Sequence, residues 1–347
     1  MPKTPAPPRL VAWETTRACN LACHHCRAEA VTEPLPDELG YEEGARLLRQ
    51  LSEFSPPPFV ILSGGEPLMR EGILDLAALG TSLGLRMLLS TNGTLLTSGL
   101  CQKIRDSGIK RLSLSLDGPD ATTHDDLRGV PGSFDAVTRA AALLAEAGLP
   151  FQINSTITPG NIFETSRIAG LARDLGAVAC HVFLLVPTGR ARDMETDGIA
   201  PDGYESALRE LKLAEPFLQM EFKATCAPQY QRIACELGMH QPRSGKGCLG
   251  GNGFMFVGHD GMVAACGYLP LSAGSVRESH PVEVYARSPL FLALRDKSNY
   301  RGKCGSCEYW EICGGCRARA HAKGDYLGPE PLCPHEPASI RRRASHA

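Results

Sequence analysis

The sequence predicts an α/β protein, a partial (β/α)6 barrel that carries a smaller cysteine-rich region at its C-terminal end. Three observations predict it: apolar runs alternate with helical periodicity from about residue 10 to residue 186, three cysteines follow the first of those runs, and seven more gather between 248 and 333. Strand and helix repetition forces a parallel sheet with right-handed crossovers, covered by helices on its outer side. In such barrels the reactive residues collect in the loops after the strands' carboxyl ends, where the first cysteines stand.

The strands are expected over residues 10–13, 59–62, 86–89, 111–116, 151–157 and 178–186. Between them, residues 41–54, 73–83, 134–147 and 162–175 place apolar side chains three and four apart, the spacing of amphipathic helices. This assigns residues 9–190 to the barrel, residues 191–247 to a connecting region with a helix over 229–237, and residues 248–337 to the cysteine-rich domain. That domain opens with strands over 253–257 and 262–266, joined at His259-Asp260-Gly261, because Asp-Gly supplies the positive φ that hairpin turns require. Residues 338–347, with Arg341, Arg342 and Arg343, read as a solvated tail.

At 347 residues and 43% hydrophobic content the chain can bury an ordinary core, and a net charge of −2 leaves no global footprint for nucleic acid or a membrane surface. It contains no run of eighteen apolar residues, and the first residues lack the apolar core of a signal peptide, which implies a cytoplasmic protein. Fourteen cysteines in that compartment argue for thiolates that bind metal and for oxygen sensitivity, not for disulfides.

Cys19, Cys23 and Cys26 lie in Cys-Asn-Leu-Ala-Cys-His-His-Cys. Three thiolates from one tight loop hold three irons of a [4Fe-4S] cubane and leave the fourth open to a small molecule; zinc is the alternative for an isolated triplet. The expected molecule is S-adenosylmethionine, chelating the open iron through its amino and carboxylate groups. An electron from the cluster would then split the sulfonium to methionine and a 5′-deoxyadenosyl radical, which takes hydrogen from substrate. His24 and His25 would pack near the sulfurs rather than ligate.

The rim supplies further candidates for that cosubstrate. Gly64, Gly65 and Glu66, in Ser-Gly-Gly-Glu-Pro after the second strand, let backbone approach a ligand's amino group. Asn92 after the third strand and Ser115 and Asp117 after the fourth put short polar groups in reach of ribose hydroxyls. Asn154 and Ser155 on the fifth strand suit the sugar, and the Arg128 guanidinium suits the carboxylate. Each has a plainer reading as a turn or a surface ion pair.

The second cysteine set is Cys248, Cys266, Cys304, Cys307, Cys313, Cys316 and Cys333, with two residues inside each of the pairs 304/307 and 313/316. Close pairs suit tetrathiolate sites, for structural zinc or for iron–sulfur clusters. Two sites need eight ligands, and Cys226 is the candidate for the eighth. The expected partition is Cys304, Cys307, Cys313 and Cys333 in one site and Cys226, Cys248, Cys266 and Cys316 in the other. Cys101, Cys180 and Cys235 fall in apolar patterns, where free cysteine behaves as a small hydrophobe.

With these motifs the chain resembles the radical S-adenosylmethionine enzymes that carry a C-terminal SPASM cluster-binding region, from Arg9 to Pro337. Within them it is similar to the heme b synthases of the siroheme-dependent heme pathway. That similarity lies in Arg-Leu-Val-Ala-Trp-Glu at 9–14, Cys-Arg-Ala-Glu-Ala at 26–30, Phe-Leu-Leu-Val-Pro-Thr-Gly-Arg at 183–190, Lys-Ala-Thr-Cys-Ala-Pro at 223–228 and Cys-Gly-Gly-Cys-Arg-Ala-Arg-Ala at 313–320. One departure is that two residues, where the SPASM pattern has three, separate Cys313 from Cys316.

The resemblance implies an oxidoreductase with the radical SAM cluster, one or two auxiliary [4Fe-4S] clusters and a low-potential electron donor of flavodoxin or ferredoxin type. Its substrate would be an iron-porphyrin, iron-coproporphyrin III, two of whose propionates are oxidatively decarboxylated to vinyl groups. Arg190, Arg192 and Lys223 would meet the substrate carboxylates unless they form a solvated basic face. Other enzymes of siroheme-derived intermediates, including the heme d1 branch, and SPASM peptide maturases share the same cysteine framework.

Overall fold

The computed structural model describes residues 5–194, 200–239 and 247–340. The arginines of the expected tail lie outside the described residues. Six parallel strands form as the apolar runs require: β1 (Leu10–Glu14), β2 (Phe59–Ser63), β3 (Arg86–Thr91), β4 (Arg111–Ser115), β5 (Phe151–Ile157) and β6 (Ala179–Leu184). Their burial alternates residue by residue, so one face of each strand packs under helices while the other lines a concave interior.

The outer layer is built from α1 (Tyr41–Leu51), α2 (Ile73–Ser82), α3 (Ser98–Asp106), α4 (Ala121–Arg128), α5 (Ser133–Glu146) and α6 (Thr165–Asp174). Helix α1 buries Ala45, Leu47, Leu48 and Leu51, and its contact with β1 is close enough that a Cβ on Gly44 would lie 2.5 Å from the Trp13 ring. That approach explains a glycine inside a helix. Helices α3 and α4 lie beyond the expected elements: α4 buries only His124, Leu127 and Arg128, too few apolar positions to show a helical period.

A seventh parallel strand, β7 (Glu221–Thr225), extends the sheet beyond β6 from within the stretch read as connecting. It escapes a hydrophobic pattern because Phe222 is its one buried side chain. It is flanked by α7 (Pro201–Ala214) and α8 (Gln229–Glu236).

The hairpin forms as its turn predicts, from β8 (Phe254–Val257) and β9 (Met262–Cys266), with Gly261 at φ 86°. Strand β8 also pairs in parallel with β1, and β10 (Leu269–Ser275) follows β9. The result is one ten-stranded sheet in the order β10-β9-β8-β1-β2-β3-β4-β5-β6-β7. Short helices α9 (Pro281–Arg287), α10 (Pro289–Arg295), α11 (Gly302–Ser306) and α12 (Arg317–Ala322) complete the cysteine-rich end. Among the described residues no helix is long and apolar enough to cross a membrane.

Candidate iron–sulfur and cosubstrate site

The loop from Thr15 to Val31 leaves the carboxyl end of β1. Thr15 donates through its amide and hydroxyl to Ser63 O, at 2.7 and 2.9 Å, and Cys19 N and Val31 N close the loop on Val31 O and Arg17 O at 2.7 and 2.9 Å. Within it Cys19 and Cys23 are buried and Cys26 half-buried, packed together with Leu21, Ala30 and Val130. Each sulfur faces an N–H group: Leu21 N lies 3.4 Å from Cys19 Sγ, Arg128 Nη1 lies 3.7 Å from Cys23 Sγ, and Ala30 N lies 3.4 Å from Cys26 Sγ. Asn92 Nδ2 stands 3.9 Å from Cys19 Sγ. Burial, with the negative charge of Glu66, Cys23 and Cys26 beside it, pushes the Cys19 thiol up to about 11. Three convergent thiols of this kind ionise together only against bound cations, and N–H donors on the sulfurs are what tune a cluster's potential. The donor set fits a cluster with one open iron.

The double glycine serves the loop before it serves any ligand. A Cβ on Gly64 would lie 2.3 Å from Thr16 O, and one on Gly65 would lie 2.3 Å from Ala18 O. The amides of Gly65 and Glu66 donate to Thr16 O and Ala18 O at 2.8 and 2.7 Å, so they brace the backbone that leads into Cys19. The Glu66 carboxylate, fully buried, accepts from Thr91 Oγ1, Asn92 N and Leu68 N at 2.8, 2.8 and 3.1 Å. It ties the β2 and β3 loops together; burial lifts its carboxyl to about 7 against those three donors.

Asp117 is the centre of a second brace. Its Oδ1 accepts from Thr156 N at 2.6 Å, and its Oδ2 lies 2.7 Å from Arg128 Nη2 and 3.4 Å from His25 Nε2. Burial opposes its ionisation, but Arg128 and His25 outweigh burial and hold the carboxyl below the usual range. Arg128 is buried, with one terminal nitrogen toward Asp117 and the other toward Cys23, which leaves Nε without a hydrogen-bond partner. His25 turns to Asp117 rather than to a sulfur, and His24 is exposed. Ser115 and Asn154 sit side by side on the concave face, in register on β4 and β5. Ser155 points the other way, buried, its hydroxyl without a partner.

The auxiliary cysteines assemble in two groups. Cys226 follows β7 at φ 55°, Cys266 ends β9, Cys316 precedes α12, and these three share one neighbourhood with Cys248. Burial and mutual repulsion push Cys226 well up and Cys266 to about 12. Cys304, Cys307, Cys313 and Cys333 line one cleft together with Arg232 and Trp310. Tyr268 N donates toward Cys266 Sγ at 3.4 Å and Glu330 N toward Cys304 Sγ at 3.3 Å. Cys101 and Cys180 are fully buried in the core, whereas Cys235 is exposed at the end of α8 and plays no part in an apolar face.

Several braces carry no spacing signal and were invisible in the sequence. Arg319 and Glu330, each about 1% exposed, pair at 2.9 Å; Arg319 also donates to Cys226 O at 2.5 Å, and Glu330 accepts from Cys316 N at 2.6 Å. Arg27, next to Cys26, reaches Glu14 at 3.0 Å and Gly267 O at 3.4 Å, and its guanidinium stacks over Phe256. It thereby links the first cysteine loop to the hairpin that carries Cys266. Arg190, expected to meet substrate, instead donates to Cys23 O and Ala30 O, both at 2.9 Å, because the turn after β6 that carries it packs on the cysteine loop, with Arg190 N on Cys26 O at 3.0 Å. Arg192 is exposed.

Comparison with known proteins agrees with this geometry. A profile of the radical SAM superfamily matches residues 13–172. The AdoMet-dependent heme synthase of Nitratidesulfovibrio vulgaris is 44% identical over 341 residues, covering 95% of this chain and 93% of the relative. That of Methanosarcina barkeri is 44% identical over 342 residues, covering 95% and 97%. Streptococcus suis SuiB bound to S-adenosylmethionine shares the fold at a TM-score of 0.71 and 18% identity, over 94% of this chain and 77% of that one. The fold and the site define a radical SAM enzyme, whose family cofactors are a [4Fe-4S] cluster and S-adenosylmethionine. Within that superfamily the chain belongs to the family of the AdoMet-dependent heme synthases.

Proposed function

We propose that the protein converts two propionate side chains of iron-coproporphyrin III into vinyl groups and so makes heme b. The observation that carries this reading is 44% identity to relatives named AdoMet-dependent heme synthase over 95% of the chain. Each propionate loses one hydrogen atom from its β-carbon, one carbon dioxide and one further electron, leaving a vinyl group.

Cys19, Cys23 and Cys26 would hold the primary cluster, which with bound cosubstrate supplies the radical that abstracts hydrogen. Asn92 and Arg128 set the polarity around the sulfurs, while Glu66 and Asp117 fix the loops that present them. Gly64 and Gly65 bring the loop backbones together, and Ser115 and Asn154 offer the cosubstrate hydrogen-bonding groups from inside the barrel. We assign radical generation to residues 9–190 and passage of the surplus electron to residues 248–337 together with Cys226 from the connecting region, with Cys226, Cys248, Cys266 and Cys316 as one ligand set and Cys304, Cys307, Cys313 and Cys333 as the other. Zinc in either site has no redox state to carry that electron. The reductant is a flavodoxin or ferredoxin type of donor, and fourteen unpaired cysteines suit a reducing cytoplasm.

Anaerobic incubation of reduced protein with S-adenosylmethionine and iron-coproporphyrin III tests the reading by mass spectrometry. The expected product has lost two carboxyl groups. Deoxyadenosine release with unchanged porphyrin would point to another substrate.

A further inference from the structure

The amino-end mouth of the barrel, opposite the cysteine loop, carries a charge cluster that the reaction described so far does not use. Arg111 opens β4 and Glu221 opens β7, while Gln152, His181 and Lys223 stand one or two residues inside β5, β6 and β7. Strand register sets Ser113 beside Gln152 and His181 beside Lys223. Their neighbours Ile153, Cys180, Val182 and Phe222 are buried under helices, so alternation turns Gln152, His181 and Lys223 into the barrel.

These groups contact one another. Arg111 Nη1 lies 3.4 Å from Gln152 Oε1 and 3.3 Å from Glu221 Oε2; Gln152 Nε2 lies 3.1 Å from His181 Nδ1, and His181 Nε2 lies 3.6 Å from Glu221 Oε1. His181 Nε2 is buried with no hydrogen-bond partner. Lys223 is open to solvent and has no ion-pair partner among the described residues; the protein packed around it lowers its pKa, with Glu221 opposing and Arg9 adding to the shift. Two cations, Arg111 and Lys223, thus share one carboxylate, Glu221, whose side chain is 56% exposed. Alternation sets His181 and Lys223 on the concave side of the sheet, His181 beside Gln152 and Glu221, and Lys223 open to solvent with its ammonium unpaired among the described residues. Such a mouth is an anion receptor, and its guanidinium and ammonium groups suit carboxylates.

We propose that this mouth binds the two propionates of the iron-porphyrin that do not react, so that the macrocycle stands in the barrel with its reacting edge at the cysteine rim. The inference rests on the heme-synthase reading. From Arg111 to Ser115 the strand rises about 13 Å, the scale of a tetrapyrrole seen from edge to edge. The mouth therefore selects which edge of the substrate meets the radical, and Arg111 and Lys223 are specificity residues.

Absorbance titration of the anaerobic holoprotein with three probes tests this: iron-coproporphyrin III, heme b, which keeps the two unreacted propionates, and the tetramethyl ester of iron-coproporphyrin III. The parent is expected to bind both free acids far more tightly than the ester. Lys223→Met and Arg111→Gln should each weaken both acids by about tenfold to a hundredfold, the worth of one charge-assisted hydrogen bond, and leave the ester unchanged. Arg111→Lys should fall between. Iron and sulfide contents report on folding, and Lys223→Met, at an exposed position on the last parallel strand, gives the reading should Arg111→Gln fail to assemble. Variants that bind the acids as tightly as the parent overturn the mouth alone. A parent that binds no iron-porphyrin overturns the heme-synthase reading and the mouth with it.

Discussion

Replacing Arg319 by methionine strips the guanidinium from a pair in which both side chains are about 1% exposed. Glu330 keeps the amides of Cys316 and Leu332 but loses its cation, and the carbonyls of Leu185 and Cys226 lose a donor. Removing one partner of a buried ion pair costs about 3–5 kcal/mol, because the other charge stays behind. For 347 residues the unfolding entropy is about 0.7 kcal/mol per kelvin, so the melting temperature should fall by about 5 °C. The local effect should be larger: Cys226 and Cys316 both hang on this pair, and iron bound per chain should drop by about one cluster. The double variant Arg319→Met/Glu330→Leu removes the stranded charge and should recover part of the loss, which a double-mutant cycle would measure. Calorimetry and iron analysis on the anaerobic protein are the assays. A single variant that melts with the parent and keeps all its iron, or a double variant no better than the single, would refute the reasoning.

Gly65→Ala forces a Cβ to within 2.3 Å of Ala18 O, so the cysteine loop must shift and lose the Glu66 amide bond to that carbonyl; a cost of about 2–4 kcal/mol and poor loading of the primary cluster are expected, read by melting and by iron content. In the pH dependence of stability, burial lowers the His259 pKa, but Glu14, 3.1 Å away, outweighs it and leaves the pKa raised. The contribution of this pair is thus fully present below about 6.5 and is lost as pH rises through the raised folded value, so the stability gap between parent and His259→Gln should narrow toward alkaline pH; a gap that widens there contradicts the pairing. Cys307→Ala should keep deoxyadenosine formation and lose decarboxylation, and unimpaired heme formation by that variant would remove the cleft cysteines from the electron path.

Much of this was legible in order and spacing. The strands β1 to β6 announce themselves because every second side chain of each is buried under helices, and the close cysteine pairs mark the C-terminal end as a place for thiolate sites, although spacing alone does not divide their ligands. Strand β7 and helix α4 stayed hidden because edge position and polar function leave each with few buried apolar residues. The double glycine signalled a close approach, but not that its neighbour is the backbone of the cysteine loop. Arginines were the least readable: Arg190 follows a strand as a substrate ligand would, yet closes on Cys23 O, while Arg27 and Arg319 acquire their roles only from residues distant in sequence.

Radical chemistry in this protein depends on a cluster held by Cys19, Cys23 and Cys26 whose fourth iron is open. Electron paramagnetic resonance of the dithionite-reduced protein, recorded with and without S-adenosylmethionine, tests that most directly. The signal of one cluster should change when the cosubstrate is added, and both that signal and its response should vanish in Cys26→Ala. A spectrum indifferent to S-adenosylmethionine, or a colourless protein that carries zinc and no acid-labile sulfide, would contradict it.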